Sequence, residues 1–315
     1  MKRIIITGSN GLLGQKLAVL LSRGSDYDLL LASKHESPVF EENEVPYRQL
    51  DITNRNEVRR VVDDFQPDVI VNTAAITNVD QYETERELAW NVNVSGVENL
   101  AIAAKFVGAR MIQLSSDYIF DGKNGPYDET ARPNPLSYYG RTKLASENVL
   151  RVNDIPGTIV RTMILYGVAS RIRVNFVLWL IHELEHGKTV RVVDDQYGSP
   201  TLADDLAYAI LRIIAFDREG TYHIAGSELL SRYEFAVKLA KYFGFDKKLI
   251  TPAKTIALKQ PAARPLRSGF ITLKAETQLG IKMSNVEQGF MIVKNQLNAS
   301  RKKFVDAAPV PGRPG

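Results

Sequence analysis

The sequence predicts an α/β fold, a doubly wound parallel sheet with a second, smaller α/β domain after it. Three observations carry this reading. Six short apolar, β-branched runs alternate with helical patterns over the first half of the chain, as right-handed strand–helix–strand crossovers require. The first run passes directly into Thr7-Gly8-Ser9-Asn10-Gly11-Leu12-Leu13-Gly14 and then into an amphipathic segment ending near Arg23. Beyond Gly167 the alternation loosens. The expected division is 1–166 for a dinucleotide-binding domain, 167–300 for a substrate-binding cap interwoven with it, and 301–315 for a disordered tail.

Length and composition bound what such a protein does. The chain has 315 residues, 44% hydrophobic and 24% charged, enough for one large core or two smaller ones. No apolar run reaches the roughly 18 residues of a membrane span. The start Met1-Lys2-Arg3-Ile4 runs straight into a strand pattern, and there is no Cys. A cytoplasmic protein without disulfides, signal peptide or membrane partner is expected. The net charge is +4, but residues 301–315 hold four Lys/Arg against one Asp, leaving 36 basic and 35 acidic elsewhere. That balance gives no case for nucleic acid.

Taken in order, Lys2–Ile6 is the first strand. The G-x-x-G-x-x-G turn after it lets the chain fold tightly, approach a pyrophosphate and pack helix on strand, with the helix N-terminus facing the phosphates. Asp28–Ser33 is the second strand. NAD binding calls for a carboxylate at its end, whereas this chain has Ala32-Ser33-Lys34-His35. A hydroxyl and an ammonium suit a 2′-phosphate, so NADP(H) is favoured with NAD(H) still open; the plain alternative is that Lys34 and His35 are solvated loop residues. Pro46–Leu50 is a short strand, and Asp51-Ile52 would lie beside the adenine. A helix from Asn54 to Phe65, capped by Asn54 or Thr53, leads to a strand at Asp68–Val71. Ala74 and Ala75 then leave room for a flat cofactor.

One long helix is expected from about Thr84 to Val107, with Asn93 placed to order a relay water. Arg110–Leu114, the fifth strand, delivers Ser115, Ser116, Asp117 and Tyr118 at the sheet's carboxyl edge, where ligands sit in such folds. The loop 120–134 precedes a helix bearing Tyr139 and Lys143. Four residues apart, these side chains share a face. An ammonium stabilises a phenolate, so the pair could act as general acid with a nearby hydroxyl holding a carbonyl oxygen. Tyr138, five residues from Lys143, turns to another face. Gly157–Arg161 is the sixth strand, and Arg161 meets either cofactor or a buried acid. The cap reads as helix 175–186, strand 189–193, loop 194–201, helix 202–216, strand 221–224, helix 232–244 and a last helix 286–301.

Gly8/Gly11/Gly14, Asp51, Asn72-Thr73-Ala74-Ala75, Ser116 and Tyr139/Lys143, in this order, resemble the extended short-chain dehydrogenase/reductases, over roughly residues 1–300. Ser115-Ser116-Asp117-Tyr118, Arg161, Asn175-Phe176-Val177, Asp194-Asp195-Gln196-Tyr197-Gly198-Ser199-Pro200-Thr201 and Arg264-Pro265 look like the dTDP-4-dehydrorhamnose reductase branch. The resemblance implies a Rossmann domain in which hydride passes from NAD(P)H to C4 of a 4-keto nucleotide sugar. Tyr139 then donates the proton, Lys143 holds the nicotinamide ribose and lowers the Tyr139 pKa, and Ser116 holds the reacting oxygen. It further implies cofactor contacts from Gly8, Asn10, Gly11, Leu12, Leu13, Gly14, Ser33, Lys34, Asp51, Ile52, Ala74, Ala75, Asn93, Tyr139, Lys143 and Met163. Substrate contacts fall to Asp117, Tyr118, Asn175, Gln196 and Arg264.

Some members of this branch hold Mg²⁺ with carboxylates at a subunit contact; Gln15 follows the third glycine here, so a Mg²⁺ requirement and a homodimer both stay open, and no metal ligand is assigned. His182-Glu183-Leu184-Glu185-His186 fits H-E-x-x-H by chance, on a helix outside the cofactor crevice. Two other functions compete. One is an NADP-binding regulatory subunit similar to the β subunit of methionine adenosyltransferase. The other is a nucleotide-sugar epimerase or dehydratase: Tyr118 rather than Glu after Asp117 argues against a dehydratase, and the missing acid at Ser33 against an NAD-preferring epimerase.

Overall fold

A computed structural model describes residues 1–40 and 45–306, with side chains through Ala299. The first half forms β1 (Lys2–Thr7), α1 (Leu12–Leu21), β2 (Tyr27–Ser33), β3 (Tyr47–Gln49), α2 (Arg55–Phe65) and β4 (Val69–Asn72). After these come α3 (Arg86–Trp90), α4 (Gly96–Val107), β5 (Arg110–Ser116), α5 (Tyr138–Val152), β6 (Gly157–Thr162) and β7 (Leu165–Tyr166). The second half contributes α6 (Phe176–Glu185), β8 (Val190–Val193), β9 (Tyr197–Gly198), β10 (Thr201–Leu202), α7 (Ala203–Ala215) and β11 (Gly220–His223). Last come β12 (Leu230–Ser231), α8 (Arg232–Phe243), β13 (Ile250–Ala253), α9 (Leu273–Leu279) and α10 (Val286–Asp306). No helix among the described residues is long and apolar enough to cross a membrane.

Seven parallel strands pair in the order β11-β6-β5-β4-β1-β2-β3. Their apolar runs are continuous because both faces are covered. On one face α1, α7 and α9 bury Leu17, Leu21, Leu206, Ile210, Ile213 and Leu279 against Ile4, Ile6 and Val71. On the other, α2, α4 and α5 bury Val58, Val62, Leu100, Ala104 and Leu150 against Ile5, Ile70 and Met111. A separate core of Phe235, Phe290, Tyr166, Leu180 and Leu239 holds the cap, built from α6, α8, α10 and the β8–β13 pair. The sheet takes its outer strand, β11, from beyond the first 166 residues, and α7 lies on α1.

Three local expectations change. The long helix is broken by a π turn at Asn91–Ser95, because the Asn93 amide reaches across to Ile76: its Oδ1 accepts from the Ile76 N–H at 3.0 Å and its Nδ2 donates to the Ile76 carbonyl at 3.1 Å. Such one-turn expansions recur at functional sites. The segment 194–201 is not plain loop, since β9 pairs with β12 and β10 with β7. The last helix continues past Arg301 to Asp306, while the remainder of the expected tail, 307–315, lies outside the described residues.

Helix starts follow local chemistry. Asn54 caps α2 through the Asn56 and Glu57 amides, and Ser231 with Glu234 forms a reciprocal capping box on α8.

Candidate active site

At the carboxyl edge of the sheet the glycine turn, the β4 loop and the β5 end converge. Gly8 has φ +69, and a Cβ there would lie 2.5 Å from the Ala74 nitrogen, so only glycine permits this approach. A Cβ on Gly14 would meet the Gly8 carbonyl at 2.5 Å, which seats α1 tightly on the turn. Gly11 caps α1 without a side-chain hydrogen bond, and the first turn carries no acid. The α1 N-terminal amides at Leu12, Leu13 and Gly14 therefore present an uncapped positive end, which fits a pyrophosphate.

β5 and α5 bring the expected catalytic side chains together. Ser137 caps α5 by accepting from the Gly140 amide at 3.1 Å, and the next helical turns bury Tyr139 and Lys143. Ser116 Oγ donates to Asp117 Oδ1 at 3.0 Å and accepts from the Tyr118 amide at 3.2 Å. Ser116 also acts on the Tyr139 phenol, opposing the rise in its pKa. Tyr118 stands edge-on to Tyr139, ring centroids 5.5 Å apart. Tyr138 indeed faces elsewhere, under Arg86.

Burial, then the Asp117 carboxylate, raise the Tyr139 pKa well above the usual phenol value, and Ser116 opposes them. The phenol thus stays protonated in the folded chain, as a proton donor must. Lys143, 3% exposed, is pulled down to about 8 by burial, with Glu147 acting the other way. Asp117 is raised, by burial against hydrogen bonds from Ser268 and Ser116.

Around this centre the expected cofactor residues separate into groups. Ala74 and Ala75 are half-buried after β4, and Met163 is buried with its sulfur accepting from the Ser199 amide. Asn10 donates to the Ser37 carbonyl and accepts from the Val39 amide. Ser33 is buried, its hydroxyl shared with the Tyr47 phenol at 2.8 Å, whereas Lys34 is exposed. Asp51 is exposed and accepts from the Thr53 amide and hydroxyl, while Ile52 is buried. Asn93 shapes the β4 loop through Ile76 and also donates to Thr142 at 3.2 Å.

Three expected substrate residues turn out to be engaged within the fold. Asn175 caps α6 through the Leu178 amide and donates to the Gly167 carbonyl. Gln196 donates to the Thr255 hydroxyl. Arg264 forms a two-pronged pair with Asp80 at 3.0 and 2.7 Å, tying the cap to the loop after β4, and its charge acts on the Tyr118 phenol. Arg161 resolves to a buried acid, Glu147, at 2.9 and 2.8 Å.

Gln15 donates to the carbonyls of Asn10 and Ser170 and accepts from the Ser170 amide, fixing the turn to the chain after β7. The rings of His182 and His186, at the end of α6, lie tilted with centroids 4.4 Å apart, Glu183 pairs with Lys188, and no group of three metal-ligating side chains occurs among the described residues.

Two residues of the centre escaped the sequence reading. Ser268 donates to Asp117 Oδ2 at 2.6 Å. Arg232 begins α8, lies over Phe176 at 5.4 Å, and acts on Asp117, Tyr118 and Arg264; burial lowers its pKa. The available signal was position: Arg232 directly follows the capping Ser231, and Ser268 follows Arg264-Pro265 by a few residues.

Residues 1–298 match the family model described as the RmlD substrate binding domain. The chain is 33% identical over 297 residues to a dTDP-4-dehydrorhamnose reductase of Aggregatibacter actinomycetemcomitans, covering 90% of this chain and 96% of that protein. It is 32% identical to methionine adenosyltransferase 2 subunit beta of Bos taurus, covering 80% and 75%. The crystal structure of a dTDP-4-dehydrorhamnose reductase of Bacillus anthracis in complex with NADP superposes with a TM-score of 0.85 at 34% identity, covering 94% of this chain and 99% of that one. With the match running through both the sheet and the cap, the chain belongs to the RmlD substrate-binding domain family.

Proposed function

We propose that this protein is an NADPH-dependent reductase of the 4-keto group of a nucleotide-linked 6-deoxysugar, converting dTDP-4-dehydrorhamnose to dTDP-L-rhamnose. The observation that carries the reading is the buried, protonated Tyr139 phenol on which Ser116 acts, together with an uncapped, acid-free helix N-terminus after the glycine turn. The dinucleotide supplies the hydride when bound. The uncapped amides of α1 would hold its pyrophosphate, Lys143 its ribose hydroxyls, and exposed Lys34 a 2′-phosphate. Ser116 orients the ketone oxygen, and Tyr139 gives that oxygen its proton, so that the carbonyl becomes a hydroxyl. Tyr118, Asp117 and Arg264 border the sugar side. A cytoplasmic setting and a homodimer belong to the same proposal.

The test is loss of nicotinamide absorbance with dTDP-4-dehydrorhamnose as substrate, in wild type and in a Tyr139 variant. Turnover that needs Tyr139 supports the reading. NADPH binding without turnover overturns it in favour of a regulatory subunit like the Bos taurus relative. A second expected outcome concerns the cofactor. Lys34→Glu should cut the kcat/KM ratio of NADPH to NADH on the order of tenfold or more, since a carboxylate would face the phosphate. An unmoved ratio removes Lys34 from the site.

A further inference from the structure

The cap brings one uncommitted guanidinium to the reacting side chains. Arg232 opens α8 directly after its cap residue, Ser231. A run of hydrogen bonds fixes this backbone and ends at the centre. The Arg232 amide donates to the Gln196 carbonyl at 3.0 Å, and Ser231 pairs with Tyr197 where β12 meets β9. Tyr197 donates to the Leu266 carbonyl at 2.7 Å and accepts from the Ser268 amide at 3.1 Å, and Ser268 Oγ holds Asp117. The Arg232 side chain is half-buried, its guanidinium carbon 5.4 Å from the centre of the Phe176 ring, and its charge acts on Asp117, Tyr118 and Arg264.

The N–H donors of this guanidinium make no hydrogen bond or ion pair among the described residues, and none of them is sealed away from solvent. The acids on the surrounding elements are engaged elsewhere. Asp117 accepts from Ser116 and Ser268, Asp80 from both terminal nitrogens of Arg264, Glu234 from the Ser231 amide, and Asp195 from Thr255. A guanidinium half out of water beside a second one is costly unless an anion compensates it. Arg264 has Asp80 for this; Arg232 has no such partner in the chain.

Resting on the proposed nucleotide-sugar substrate, we infer that Arg232 is the residue that binds its diphosphate. The flat fork of donors matches phosphate oxygens two at a time, which a neutral sugar hydroxyl does not offer. Its place suits that linker: the reacting ketone lies at Ser116 and Tyr139, and Arg232 stands on the cap side of Asp117 and Tyr118. The two neutral residues expected to meet the nucleotide are occupied, Asn175 by the Gly167 carbonyl and the Leu178 amide and Gln196 by Thr255. The cofactor pyrophosphate is a different anion, because the free amides of α1 belong to the sheet domain and Arg232 to the cap.

The experiment measures dissociation constants of dTDP, UDP, thymidine and NADPH by calorimetry for wild type, Arg232→Met and Arg232→Lys. Arg232→Met should weaken the nucleoside diphosphates on the order of 10- to 100-fold, with thymidine and NADPH within about twofold of wild type. Arg232→Lys keeps the charge and loses the fork, so it should fall between the two, and it decides alone if the Met variant does not fold. Diphosphate affinity that stays unchanged, or that falls equally with thymidine or with NADPH, would overturn the assignment, as would a wild type that binds neither diphosphate. Binding needs no turnover, which keeps this result apart from the reductase reading. Diphosphate binding that depends on Arg232 in a protein that does not reduce dTDP-4-dehydrorhamnose retains the subsite and removes the reaction. Turnover with a KM that ignores Arg232 does the reverse.

Discussion

Tyr139→Phe is expected to lower kcat by about 10²–10⁴-fold, the usual contribution of a positioned general acid. Only the hydroxyl disappears. The Phe ring keeps the edge-on contact with Tyr118 and the burial of α5, so the fold has no cavity to fill. The NADPH dissociation constant should stay within about twofold, because no donor to the pyrophosphate or ribose is lost. Two features make the effect large: the phenol is held protonated by burial and Asp117, and Tyr118, the neighbouring phenol, is turned edge-on to it with its own pKa raised by burial. Parallel measurement of kcat and of cofactor binding checks this. Activity within tenfold of wild type would assign the proton to another group.

Gly140→Ala should damage both stability and turnover. Gly140 sits between Tyr139 and Lys143, and a Cβ there would lie 2.1 Å from the Tyr118 carbonyl oxygen and 3.1 Å from Pro135. Backbone cannot rotate out of the way as a side chain can, so α5 must move off the turn Asp117–Ile119. Overpacking of this kind costs about 1–3 kcal/mol, more than the helix propensity that Ala gains. The same displacement separates Tyr139 from Ser116, and a shift of about 1 Å at a reacting centre lowers rate on the order of 10²-fold. Thermal unfolding and kcat should fall together. A stable variant with full kcat would mean that α5 and the Tyr118 turn need not be in contact.

What the sequence made legible was the periodic and the local. Strands buried on both faces appear as unbroken apolar runs, and the glycine turn and Tyr139/Lys143 spacing are short-range patterns. Asn175 was equally local: it precedes Phe176-Val177-Leu178 and could have been read as a cap before being read as a ligand. The π turn was not legible, because it depends on Asn93 meeting Ile76 across the fold. Neither was Glu147, whose partners Ser115 and Arg161 lie on separate strands. Arg264 and Arg232 show the same limit, since charge pairing between cap and sheet domain is set by tertiary approach, and it decides whether a guanidinium faces a ligand or an aspartate.

The outer position of β11 bears on how this chain is made. A ribosome releases β1 through β6 well before residues 220–223 emerge, and until then β6 has an open backbone edge. α1 meanwhile waits for α7 to cover its apolar side. The nascent amino-terminal half is therefore not a finished unit but a sheet needing protection, and chaperone engagement during synthesis would fall on that exposed edge. A gene cut after residue 166 would encode the dinucleotide-binding motif without the strand and helix that close the layer around it.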